Sequence, residues 1–138
     1  MDRADLQNLA DARVADAQVL MHAERWAAAY YLLGYAIECA LKACAAKRFH
    51  EHEVPAKSLV NDFYTHQMDR LLGISDVEDA LKSREAHDPR FRRNWEIVRD
   101  WSETARYDRS ATEAQAHEMF AAVTDPSSGV LPWLKRYW

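Results

Sequence analysis

A chain of 138 residues, 49% of them hydrophobic, is long enough to enclose one proper core and too short for two. Only three glycines and four prolines punctuate it, which favours long helices joined by short turns and makes strands unexpected. The formal net charge of -4 excludes a protein that coats nucleic acid through overall charge, and leaves open a local basic patch that binds phosphate.

The opening MDRADLQNLADARVADA is too charged for a secretory signal. Between Ala4 and about His22, apolar residues fall at Leu6, Ala10, Val14, Ala17 and Met21, the spacing of one helical stripe. A break at Ala23 to Arg25 leads into Trp26 to Lys47, a helix apolar on nearly every side that must be enclosed by others. Its small residues, among them Ala29, Gly34, Ala36 and Ala40, permit close approach, so the two helices are expected to form an antiparallel hairpin. Cys39 and Cys44, five apart on that helix, point in different directions and read as reduced, packed thiols.

Arg48 to Tyr64 contains Pro55 and no sustained period, and reads as a loop with about one helical turn. Thr65 is placed to cap a short helix over His66 to Leu72 that Gly73 stops, and Ser75 with Glu78 matches a capping box for the next. Asp88 and Pro89 form a strong helix start, and the stripe Phe91, Trp95, Val98 and Ala105, widened by Ile97 and Trp101, carries that helix to about Ala105. Ser110 with Glu113 matches a second capping box, opening a helix that DPSSG ends, and Val130 to Tyr137 reads as a last short helix. The expected fold is therefore all-α: an up-and-down bundle of four to five main helices with short extra helices, one domain over residues 1–138. No apolar run is free of charge for the length of a membrane span, so the chain is expected in the cytoplasm with no membrane contact.

Three segments in order, AAYYLLGYAIECALKA, THQMDRLL and WSETARYD, resemble the HEPN family, the higher-eukaryote and prokaryote nucleotide-binding helical domains. The resemblance runs roughly from Leu6 to Trp133. It implies a helical bundle, often a homodimer, that associates with nucleotides or RNA and is frequently encoded beside a nucleotidyltransferase as its partner in a two-gene, toxin-antitoxin type system. Ribonucleases of the family resemble one another in an arginine followed, after four to six intervening residues, by a histidine. Here Arg109 to His117 leaves seven and Arg48 to His52 leaves three, so the motif is absent. Arg106 and Tyr107 resemble instead the Arg-Tyr ending of the branch that pairs with nucleotidyltransferases.

The candidate ligand or partner groove comprises Glu38, Lys42, Arg106, Tyr107 and Asp108. Glu38 and Lys42 stand i, i+4 with the acid first, the favourable order for a helical ion pair. Glu38 is also expected to orient Arg106 from the facing helix, leaving the guanidinium for a phosphate or partner carboxylate. Arg106 beside an aromatic ring suits a phosphate and a stacked base, although cations at a helix end also serve as plain capping. The catalytic candidates are Arg106, Arg109, His117 and His66, each with an ordinary structural role available. Arg90, Arg92 and Arg93 are candidate phosphate contacts, because arginines at a helix start run against the dipole preference. The His and Cys spacings match no metal site, and no cofactor is expected. The expected function is a non-catalytic or weakly catalytic HEPN-like module that binds a nucleotidyltransferase, a nucleotide or RNA. The alternatives are a metal-independent RNA endonuclease with a divergent Arg/His site, or a purely structural protein-protein adaptor.

Overall fold

The computed structural model describes residues 1–138, all helix and connection with no strand. Asp2 starts α1 (Arg3–His22) with a capping box in which Asp2 and Asp5 each accept the other's backbone N–H. Glu24 takes a left-handed conformation, φ 58°, that reverses the chain within a few residues and delivers it into α2 (Trp26–Ala46). Leu6, Ala10 and Ala17 of α1 are buried, as are Ala29, Ala36, Ala40 and Ala43 of α2. Small side chains on both partners let the expected hairpin close tightly.

Around it stand α3 (Lys57–Phe63), α4 (Met68–Ile74), α5 (Glu78–His87), α6 (Pro89–Arg99), a 3-10 helix (Glu103–Tyr107), α7 (Glu113–Thr124) and α8 (Val130–Leu134). The long α7 packs along α2 and α6 packs on α7, with α8 closing the base through buried Val130, Leu131, Trp133 and Leu134. The core is continuous across these elements and includes Leu33, Ile37, Leu41, Phe91, Trp95 and Met119. The Asp88 helix start is realised in full: Oδ1 accepts the N–H groups of Arg90 and Phe91, while Oδ2 accepts the Ser128 hydroxyl at 2.9 Å and faces Arg84 at 3.2 Å. No helix is long and apolar enough to cross a membrane.

Several local expectations are corrected. The Pro89 helix ends at Arg99 rather than Ala105, because Ser102 is extended (φ -136°, ψ 160°) and the chain turns so that Trp101 is buried before the 3-10 helix begins. The capping box of α7 is Thr112 with Gln115 and not Ser110 with Glu113; Ser110 is occupied by Asp108, which accepts its N–H and its hydroxyl. Ser75 caps nothing, since its hydroxyl donates back to the Leu72 carbonyl, and α5 starts after Val77 without a side-chain cap. Thr65 accepts the Gln67 N–H ahead of α4, so His66 precedes that helix and does not begin it. Gly73 lies inside α4, which runs on to Ile74. The segment read as a loop with one turn holds the seven-residue α3. Finally, α8 stops at Leu134 because Arg136 and Tyr137 bond back three residues, tightening the chain into turns.

Candidate phosphate-binding groove and the buried Glu38 cluster

Tyr31, Gly34, Tyr35, Glu38 and Lys42 follow i, i+3, i+4, i+7 and i+11 along α2 and therefore share one face. Trp101 and the 3-10 helix cover its upper half, with Trp101 stacked on Tyr31 (ring centroids 5.9 Å) and Tyr31 on Tyr35 (6.2 Å). Lower down, Glu38 is 1% exposed, and its Oε1 accepts both Lys42 Nζ and His66 Nδ1 at 2.9 Å. Oε2 has no hydrogen-bond partner. A half-satisfied buried carboxylate costs about 1–3 kcal/mol, an expensive arrangement for a pair that serves stability alone. His66 then reaches outward, its Nε2 lying 3.4 Å from Glu103 Oε2 on the 3-10 helix. Burial pushes the neighbouring Tyr35 phenol and Cys39 thiol up, the thiol to about 11.

Above this cluster lies a groove of about 740 Å³, lined on one side by Arg25, Trp26 and Tyr31 and on the other by Arg106, Asp108 and Arg109. Its volume falls within the roughly 300–1,000 Å³ of ordinary ligand sites. Trp26, Ala27 and Ala28, the first turn of the 21-residue α2, also line it, and Arg25 gives that turn no side-chain cap. The positive end of a long helix and its uncapped N–H groups therefore open into the groove beside three arginines. The ion pairs of the chain engage other arginines, such as Arg13, Arg84 and Arg99, and none of these three. Two carboxylates, Glu24 and Asp108, share the wall. Asp108 is committed to Ser110, whose hydroxyl and backbone N–H hold its carboxyl below the usual carboxylate range.

The predicted site residues divide between these two places. Glu38 and Lys42 meet as their spacing predicts, whereas Arg106 makes no ion pair with Glu38, whose Oε1 is held by His66 and Lys42. Arg106 instead stands over the Tyr107 ring at 4.8 Å, and Tyr107 is 76% exposed and outside the groove lining. Arg106, Asp108 and Arg109 do converge on one groove. His117 is outside the groove lining, resting on Trp26 (ring centroids 5.3 Å) and facing Glu113 at 3.7 Å. Arg92 and Arg93 are spent on Glu96 and Glu118, and Arg90 lies with them away from the groove lining.

Sequence reasoning missed Arg25, Trp26, Tyr31, Trp101 and Glu103 as site residues. An arginine and a tryptophan at an uncapped helix start are a usable signal for the first two; Glu103 had none. No group of three or more His, Cys, Asp or Glu side chains is disposed to hold a metal ion. Comparison of the chain with protein-family models, with curated proteins and with solved structures finds no match.

Proposed function

We propose that this chain is a HEPN-like binding module whose groove takes the phosphate and base of a nucleotide or an RNA strand. The observation that carries the reading is the convergence of Arg25, Arg106 and Arg109, without ion-pair partners, on the uncapped N-terminus of α2 in a groove that Trp26 and Tyr31 also line. Arginines and free N–H groups suit phosphate oxygens, and aromatic walls suit a base of any identity. The resemblance of WSETARYD to the Arg-Tyr branch of the family adds a nucleotidyltransferase as the protein partner, with the exposed Tyr107 beside Arg106 offered to such a partner or a second copy.

The test is calorimetric titration with a short oligouridylate and with adenosine nucleotides. Saturable binding that weakens with added salt is expected. Arg106→Ala and Arg25→Ala each lower affinity about tenfold or more, since a charge-assisted hydrogen bond is worth about 1.5–3 kcal/mol. Absence of binding at low salt, or affinity untouched by both substitutions, rejects the groove.

One observation favours the ribonuclease reading: His117 packs on Trp26, which lines the groove together with Arg106 and Arg109. A histidine there serves as general base while an arginine holds the phosphate. Incubation of RNA with the protein and a chelator decides between the two. Cleavage lost in both Arg106→Ala and His117→Ala makes the protein an enzyme; intact RNA together with measurable binding leaves it a binding module.

A further inference from the structure

His66 joins the buried carboxylate of α2 to the 3-10 helix that carries Arg106. Its Nδ1 lies 2.9 Å from Glu38 Oε1 and its Nε2 3.4 Å from Glu103 Oε2. The first contact is a hydrogen bond and the second a charge contact, so the ring attracts both carboxylates at once only as imidazolium. Glu103 is the first residue of the 3-10 helix, and Ala105 and Arg106 of the same short helix line the groove. Behind it the chain is anchored by Trp101, buried against Gly34 and Tyr31. The contact at Glu103 is therefore a side-chain latch on the element that presents Arg106.

We propose that His66 is a pH-sensitive latch that sets the affinity of the groove for anionic ligands; the proposal rests on the phosphate-binding reading of that groove. When His66 is doubly protonated, the Glu103 end of the 3-10 helix is held to α2 through Glu38, and Arg106 is fixed in place. When it loses its proton, the shorter contact with the buried Glu38 keeps the remaining N–H. A bare ring nitrogen then faces Glu103, the charge attraction is lost, and the Glu103 end of the 3-10 helix is released. The release is local, because a five-residue 3-10 helix without a side-chain cap has little stability of its own. Ligand binding is thus stronger with His66 protonated and weaker with it neutral.

The charged groups facing the ring are Glu38 and Lys42 from α2 and Glu103 from the 3-10 helix. Tyr35 and Cys39, next to Glu38, are pushed up by burial and remain neutral across the range. On the adjoining α4, Asp69 is taken up by Arg99. The other histidine near the groove is His117, on Trp26, whose protonation adds a positive charge of its own and must be separated from the latch.

Calorimetry with a short oligouridylate lacking terminal phosphates, whose own charge is constant, tests this at about pH 5.5 and about pH 8. The wild type is expected to bind about fivefold or more tightly at the lower pH. His66→Gln and Glu103→Gln still bind and lose that step, while His117→Gln keeps it. A flat wild-type profile overturns the latch, as does a step that survives in His66→Gln. Amide hydrogen exchange of Glu103 to Asp108, corrected for intrinsic rates, reads the latch without ligand. If the wild type binds at neither pH, the groove reading fails and the regulation of affinity with it. In that case, faster exchange at the higher pH that His66→Gln abolishes upholds the latch alone, and exchange independent of His66 overturns it as well.

Discussion

Trp101 occupies the space that a side chain at position 34 needs: a Cβ on Gly34 would lie 2.3 Å from three atoms of the indole ring. No rotation of a buried, stacked indole relieves so short an approach. Gly34→Ala is therefore expected to displace Trp101 and with it the 3-10 helix that follows. The predicted outcome is a loss of about 1–3 kcal/mol in stability by urea unfolding, together with weaker ligand binding although residue 34 is outside the groove lining. Unchanged stability in Gly34→Ala would mean that the indole has somewhere else to go.

Glu38 supplies a second test, because its two partners are not equivalent. Removing the carboxylate in Glu38→Ala strands Lys42, whose side chain is 13% exposed, and also frees His66. Breaking a buried pair from one side costs about 3–5 kcal/mol, and partial exposure of both partners sets the expectation at the lower end. Lys42→Met is milder, since His66 still donates to Oε1. Comparison of the two unfolding midpoints checks the order; equal losses would mean that His66 contributes nothing to holding the carboxylate.

The fold was legible wherever the deciding chemistry was local. Asp88 followed by Pro89 contains the whole cap, and Glu38 with Lys42 contains the whole pair, so neighbouring residues alone were sufficient. The reading failed where a distant surface decided. Trp101 continues the apolar period of α6 and so extended the expected helix, but it is buried against Gly34 of α2, and only leaving the helix brings it there. Ser110 with Glu113 and Thr112 with Gln115 fit the same capping pattern two residues apart; the Asp108 side chain, which captures Ser110, selects the second. His66 reaches Glu38 from one connection and Glu103 reaches His66 from another, and nothing in their spacing announces it.

Asp88 makes acid sensitivity predictable in sign. The backbone N–H of Phe91 is the leading cause that holds its carboxyl below the usual range, with the Ser128 hydroxyl, Arg84 and the Arg90 N–H adding to it. A carboxyl with a depressed folded pKa contributes stability that is present above its unfolded pKa and lost as pH falls through the folded one. Asp88→Asn is expected to lower Tm by a few degrees at neutral pH and by progressively less as the pH drops below the carboxylate range. A difference between the two proteins that stays constant down through that range would show that the charge of Asp88 contributes nothing.

The two cysteines provide a chemical readout of the same core. Cys39 and Cys44 are both free and buried, and burial pushes each thiol up to about 11, with Glu38 a further cause at Cys39. Since the thiolate is the nucleophile, neither combines reactivity with access in the folded state at neutral pH. Alkylation by iodoacetamide is expected to be negligible in buffer and to reach two thiols in urea, with its rate following the population of the unfolded chain. Glu38→Ala then accelerates labelling at both positions if it loosens the bundle as a whole. It accelerates Cys39 alone if the disturbance stays beside the cluster, where Cys39 is the next residue along α2. Fast labelling of either thiol in the native wild type would contradict the packing of α2.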